Sequence, residues 1–129
     1  MEVGFLGLGQ MGAAIAERLQ AAGARLHVFD PNPVAVAPFV LRGAVDEPSA
    51  AAAAEAVPIV FACLPDAATS EQVAADVAGS PALRVYVEMS TIGSASMAVS
   101  ATSSARATSR WWIVRSAADR RGRALARCR

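Results

Sequence analysis

Residues 7–12 read Gly-Leu-Gly-Gln-Met-Gly and lie between an apolar run, "EVGFL", and a stretch with helical spacing, "MGAAIAERLQAAG". A G-x-G-x-x-G string in that setting restricts the fold more than anything else in the chain. A strand that turns sharply into a helix gives each glycine a task. Gly7 permits the tight turn, Gly9 lets a bulky group approach the backbone, and Gly12 allows the helix to pack closely on the strand. The first free N–H groups of the helix, with the positive end of its dipole, then face a site suited to phosphate. Glycines that only make a turn are the plainer alternative, and the strand-turn-helix context weighs against it.

The alternation continues down the chain. "RLHVFD" has the composition of a second strand, and "PNP" breaks it; Pro33 opens a helix, "VAVAPFVLRG", that Pro38 shortens or kinks. "AVD" fits a brief third strand, Ser49 caps the alanine-rich "AAAAAEA", and "VPIVFACLPD" is a fourth strand too uniformly apolar to be half exposed. Thr69 or Ser70 caps a further amphipathic segment, "SEQVAADVAG", before a fifth strand, "RVYVEMS". In the first helix Met11, Ile15 and Leu19 fall on one face at steps of four, opposite Glu17 and Arg18, and Gly23 is placed to end it. Strands separated by helices make parallel βαβ units, so the expected architecture is α/β: a doubly wound parallel Rossmann sheet of order 3-2-1-4-5. At 129 residues there is room for one domain.

Asp30 closes the second strand about 20 residues beyond the glycines, where this architecture places an acid on the adenosine ribose. Its charge favours NAD over NADP, because it would repel a 2′-phosphate and Pro31-Asn32-Pro33 supplies no Arg to hold one. His27 stands in mid-strand with no acid at suitable spacing and reads as filler. Cys63 reads as an inert apolar residue of the fourth strand. Asp66 and Glu88 are at or near C-terminal strand ends, the ligand-binding edge of such sheets, and are equally compatible with solvated loop acids.

The net charge of +1 conceals a division at Gly93. Residues 1–93 carry four Arg against ten acids, and residues 94–129 carry eight Arg against Asp119 alone. Two distant cysteines and a single His support neither a zinc site nor a disulfide framework. The beginning of the chain lacks a basic region before its apolar stretch, and no uncharged apolar run is long enough for a membrane span, so a cytoplasmic protein is expected.

Three strings in order, "VGFLGLGQMG" at 3–12, "FACLPD" at 61–66 and "VEMSTIG" at 87–93, resemble the N-terminal domain of the β-hydroxyacid dehydrogenases, the group of 3-hydroxyisobutyrate dehydrogenase and relatives of 6-phosphogluconate dehydrogenase. The resemblance covers residues 1–93. It implies that Gly7, Leu8, Gly9, Gln10, Met11 and Gly12 hold the pyrophosphate, that Leu64 and Pro65 line the cofactor trough, and that Thr91 contacts the nicotinamide end. It further implies oxidation of a small 3-hydroxy acid with hydride passing to NAD or NADP. In that group a V-S-G-G stretch grips the substrate carboxylate, and a helical second domain supplies a catalytic lysine; this chain contains no lysine at all.

The group shows D-x-P-V-S-G-G about two dozen residues after the Ser-Thr pair, where this chain has "SRWWIVRSAADRRGR". Trp111-Trp112-Ile113 is encoded by TGG-TGG-AT and one further base, so a reading displaced by one base gives Val-Asp there without freedom. Ordinary codon choices across residues 113–119 then permit Cys-Pro-Val-Ser-Gly-Gly. The expectation is an incomplete dinucleotide-binding domain at 1–93, truncated by a frameshift, and an out-of-frame, disordered or poorly packed basic tail at 94–129 without evolved function. The fifth strand should then be left with an open edge. Taken at face value, the Arg-rich tail with its paired Trp would instead make the chain a non-catalytic NAD-binding fragment with a nucleic-acid-binding arm.

Overall fold

A computed structural model of the chain describes residues 1–90 and the strand at 110–113. Its elements run β1 (Glu2–Leu6), α1 (Gln10–Ala21), β2 (Arg25–Phe29), α2 (Pro33–Val40), β3 (Val45–Asp46), α3 (Ala50–Ala56), β4 (Ile59–Ala62), α4 (Ala67–Val77), β5 (Val85–Glu88) and β6 (Arg110–Ile113). The strands form one sheet of order β3-β2-β1-β4-β5-β6, parallel at every pairing. The first five stand in the order expected from the alternation. The sixth corrects the expectation of an open edge: β6 runs parallel to β5, with Tyr86 opposite Trp111 and Val87 opposite Trp112.

Alternate residues of the strands feed two cores, one on each face. Val3 and Phe5 of β1 join Leu26 and Val28 of β2 beneath α1 and α2. Leu6, Val60, Ala62 and Tyr86 lie on the other face under α3 and α4. Phe5 and Phe61 stack across β1 and β4 with centroids 6.3 Å apart. Gly4, which would otherwise point into the second core, is glycine because a Cβ there would stand 2.8 Å from Val60 Cγ2.

Local chemistry sets the helix boundaries, with three departures from the sequence reading. Asn32 Oδ1 accepts from Val34 N–H at the start of α2, with Pro33 in the first turn, and the helix runs through Pro38 to end at Val40. Ser49 Oγ accepts from Ala52 N–H at the start of α3, as its spacing suggested. Helix α4, however, begins before Thr69 and Ser70: Asp66 is the cap, its Oδ1 accepting from Thr69 N–H at 2.7 Å. A carboxylate three residues upstream is the stronger acceptor and moves the start of the helix with it. In α1 the buried stripe is Gly12 and Ala16 rather than a face led by Met11; Ile15 and Leu19 pack on the core while Met11 is 54% exposed. Close approach of helix to strand puts the smallest residues in the seam. His27 does have an acid partner, Glu47, at 2.7 Å; pairing of β2 with β3 brings it near from 20 residues away. Among the described residues no helix is long and apolar enough to cross a membrane.

Candidate functional site

The C-terminal ends of β1, β2, β4 and β5 lie side by side, with the β1–α1 turn at the point where the chain's path across the sheet reverses. Crevices at such switch points are where open α/β sheets bind ligands. Gly7 has φ +86°, a left-handed conformation that side chains disfavour, and a Cβ on it would collide with the Cys63 carbonyl. A Cβ on Gly12 would collide with the Gly7 carbonyl, so the start of the helix can sit on the turn only without one.

Gly9 differs from both. Its φ of −65° and ψ of −173° suit any residue, and a Cβ built on it meets nothing within 4 Å. The fold itself therefore places no demand for glycine there, and the space beside it is open. Gly9 is also the N-cap of α1, which has neither a side-chain cap nor an acid in its first turn. The first N–H groups of a helix have no intrahelical acceptor, which leaves those of Gln10, Met11 and Gly12 without one beside an open glycine. The N–H groups of the two preceding residues are already committed: Gly7 donates to the Phe29 carbonyl at 3.0 Å and Leu8 donates to Asp30 Oδ2 at 2.7 Å. Leu8 contributes a buried side chain to the core.

Asp30 thus ties the β2 end to the glycine turn, and its Oδ1 also accepts from Asn32 N–H at 2.8 Å. Each carboxylate oxygen has a second lone pair, which leaves acceptor capacity for a hydroxyl donor. On the other side of the turn, Leu64 is half-buried and Pro65 exposed just beyond β4. The position of a Cβ on Gly7 would be 3.2 Å from Leu64 Cδ2, so the Leu64 side chain lies against the turn. Thr91 lies outside the described residues.

The two acids left open by the sequence resolve differently. Asp66 is exposed and caps α4, and its hydrogen bonds from Thr69 hold its carboxyl below the ordinary range. Glu88 is 4% exposed and accepts from Ser90 N–H at 2.9 Å and Tyr86 O–H at 3.2 Å. Burial, with the charge of Glu88 nearby, pushes the Tyr86 phenol far above its usual range. The same two causes raise the Cys63 thiol, consistent with an unreactive role. Ser90, whose Oγ accepts from Leu64 N–H at 2.6 Å, escaped the sequence reading. It stands in a string the sequence marks, but no spacing announces that its hydroxyl reaches a residue 26 positions earlier.

Comparison with known proteins agrees with this geometry. Residues 2–113 match the family model described as the NAD binding domain of 6-phosphogluconate dehydrogenase. The chain is 42% identical over 64 residues to 3-hydroxyisobutyrate dehydrogenase of Pseudomonas aeruginosa, a match covering 50% of this chain and 22% of that protein. In structure it resembles 3-hydroxyisobutyrate dehydrogenase of Mycobacterium tuberculosis with L-serine, at 27% identity and a TM-score of 0.73, covering 88% of this chain and 38% of the other. It also resembles the reductive aminase from Aspergillus terreus in complex with NADPH and ethyl levulinate, at 25% identity and a TM-score of 0.76, covering 87% and 39%. The chain spans well under half the length of these oxidoreductases, and the part it spans is the dinucleotide-binding domain. It belongs to the family of the NAD-binding domain of 6-phosphogluconate dehydrogenase.

Proposed function

We propose that this chain is the NAD-holding portion of an oxidoreductase that passes hydride from a small 3-hydroxy acid to the nicotinamide, and that alone it binds cofactor without turning over substrate. The observation that carries the reading is the open space at Gly9 beside an uncapped helix start. A pyrophosphate there would take the N–H groups of Gln10, Met11 and Gly12 and the positive end of the α1 dipole. Asp30 would accept from a ribose hydroxyl while still holding Leu8, in charge-assisted bonds worth about 1.5–3 kcal/mol each. Leu64 and Pro65 would wall the crevice beyond the phosphates, with Thr91 toward the nicotinamide. When bound, the cofactor would supply the hydride acceptor.

Asp30 and the absence of Arg in Pro31-Asn32-Pro33 support NAD over NADP. The chain has no lysine to take the proton that the resemblance assigns to one, which supports binding without catalysis. The displaced reading of residues 111–119 supports a frameshift shortly after Gly93, in a gene whose parent product is cytoplasmic. Fluorescence titration of the chain with NADH and NADPH tests the binding reading. NADH should bind more tightly, and Asp30→Ala should weaken it about tenfold and narrow the preference. Binding of neither cofactor, or reduction of NAD on addition of 3-hydroxyisobutyrate, would overturn the proposal. Resequencing through and past the codon for Gly93 tests the frameshift: a displaced frame opening into V-S-G-G and a lysine-bearing domain is expected, and an intact frame would remove it.

A further inference from the structure

Two ties cross the C-terminal edge of the sheet, one on each side of the glycine turn. On the β2 side Asp30 holds Leu8 N–H. On the β5 side the tie is longer: Leu64 N–H donates to Ser90 Oγ at 2.6 Å, Ser90 N–H donates to Glu88 Oε1 at 2.9 Å, and Glu88 Oε2 accepts from Tyr86 O–H at 3.2 Å. Ser90 and Glu88 are 9% and 4% exposed. A buried carboxylate is costly to desolvate, and an apolar side chain would fill the same volume without that cost. What Glu88 adds is a fixed acceptor that seats the Ser90 backbone and so aims its hydroxyl at the turn after β4.

That turn also touches the glycine loop, through the Cys63 carbonyl under Gly7 and the Leu64 side chain beside it. A ligand lying along the crevice meets β2 at its adenosine ribose, the β1 turn at its pyrophosphate, and β4 and β5 only with what lies beyond. Resting on the dinucleotide reading above, we propose that Ser90, seated by Glu88, is a positioning residue for the nicotinamide half of the cofactor. It fixes Leu64 and Pro65 against the glycine loop without touching the ligand, and so sets the wall of the crevice on that side alone.

ADP ends at the phosphates, whereas NADH continues past β4, so calorimetric titration of the chain with each separates the two halves. Ser90→Ala should raise the NADH dissociation constant about tenfold, the effect of one lost bond to a half-buried N–H, while the ADP constant stays within about twofold. Ser90→Thr, which keeps the hydroxyl, should restore NADH binding. Equal weakening of both ligands would reduce the tie to a structural one, and no change in either would remove it; both outcomes overturn the positioning role. If the unaltered chain binds neither ligand, the dinucleotide reading itself fails, an outcome separate from any effect of Ser90.

Discussion

Helices α1 and α4 follow neighbouring strands and begin on the same edge of the sheet, yet their first turns are finished in opposite ways. Asp66 closes α4 with its own carboxylate and places a negative charge at the rim. Asn32 and Ser49 close α2 and α3 by the same means with neutral groups. Helix α1 starts on Gly9 with no side chain to accept from its N–H groups. The fold therefore gives three of these helix starts a side-chain acceptor and leaves the fourth without one. Of the two dipole ends flanking the crevice, one is already neutralised and would repel a phosphate; the other is open to it.

The largest effect should come from confusing the three glycines of the motif with one another. Gly12→Val forces a side chain onto the Gly7 carbonyl, and we expect a loss on the order of 3 kcal/mol in urea unfolding, enough to threaten the fold. Unchanged stability would show that the helix can slide off the strand. Gly9→Asp makes the start of α1 resemble that of α4. The backbone there accepts any residue and the Cβ meets nothing, so the new cap should leave stability equal or a few tenths of a kcal/mol higher. NADH binding should nonetheless fall by about two orders of magnitude, because the carboxylate occupies the donors proposed for the pyrophosphate. Retained binding would move the phosphate site away from α1.

The smallest effect tests the closed partner. The carboxyl of Asp66 is depressed in the folded chain, so its contribution is complete above the unfolded value of about 4 and fades as pH falls through the folded value. Between about pH 5 and pH 3 the parent should lose more of its urea midpoint than Asp66→Asn does, whose cap does not titrate in that range. Parallel curves would mean that the cap contributes nothing through its charge.

Much of this was legible in residue order. Strand-helix alternation, turn glycines and Pro33 follow from local preference, so the five-strand order and the glycine turn between β1 and α1 could be read before any coordinates. The misjudged points have three separate causes. Asp66 displaced Thr69 as cap because two nearby acceptors compete and geometry selects the stronger. Met11 gave way to Gly12 and Ala16 because seam width, rather than periodicity, decides what a close helix buries. Glu47 reached His27, and Trp111 and Trp112 reached β5, through register between strands distant in sequence.

By itself, the sequence determined that a glycine turn would join a strand to a helix near an acid some twenty residues on, since backbone freedom and helix polarity are properties of the local chain. The motif had given each glycine a task, but only the tertiary structure showed that a Cβ would strike a carbonyl at Gly7 and at Gly12 and meet nothing at Gly9, because that depends on what stands next to an absent Cβ. It alone placed Ser90 and Glu88 behind Leu64, because hydrogen bonds between strand ends exist only after the sheet has set its register.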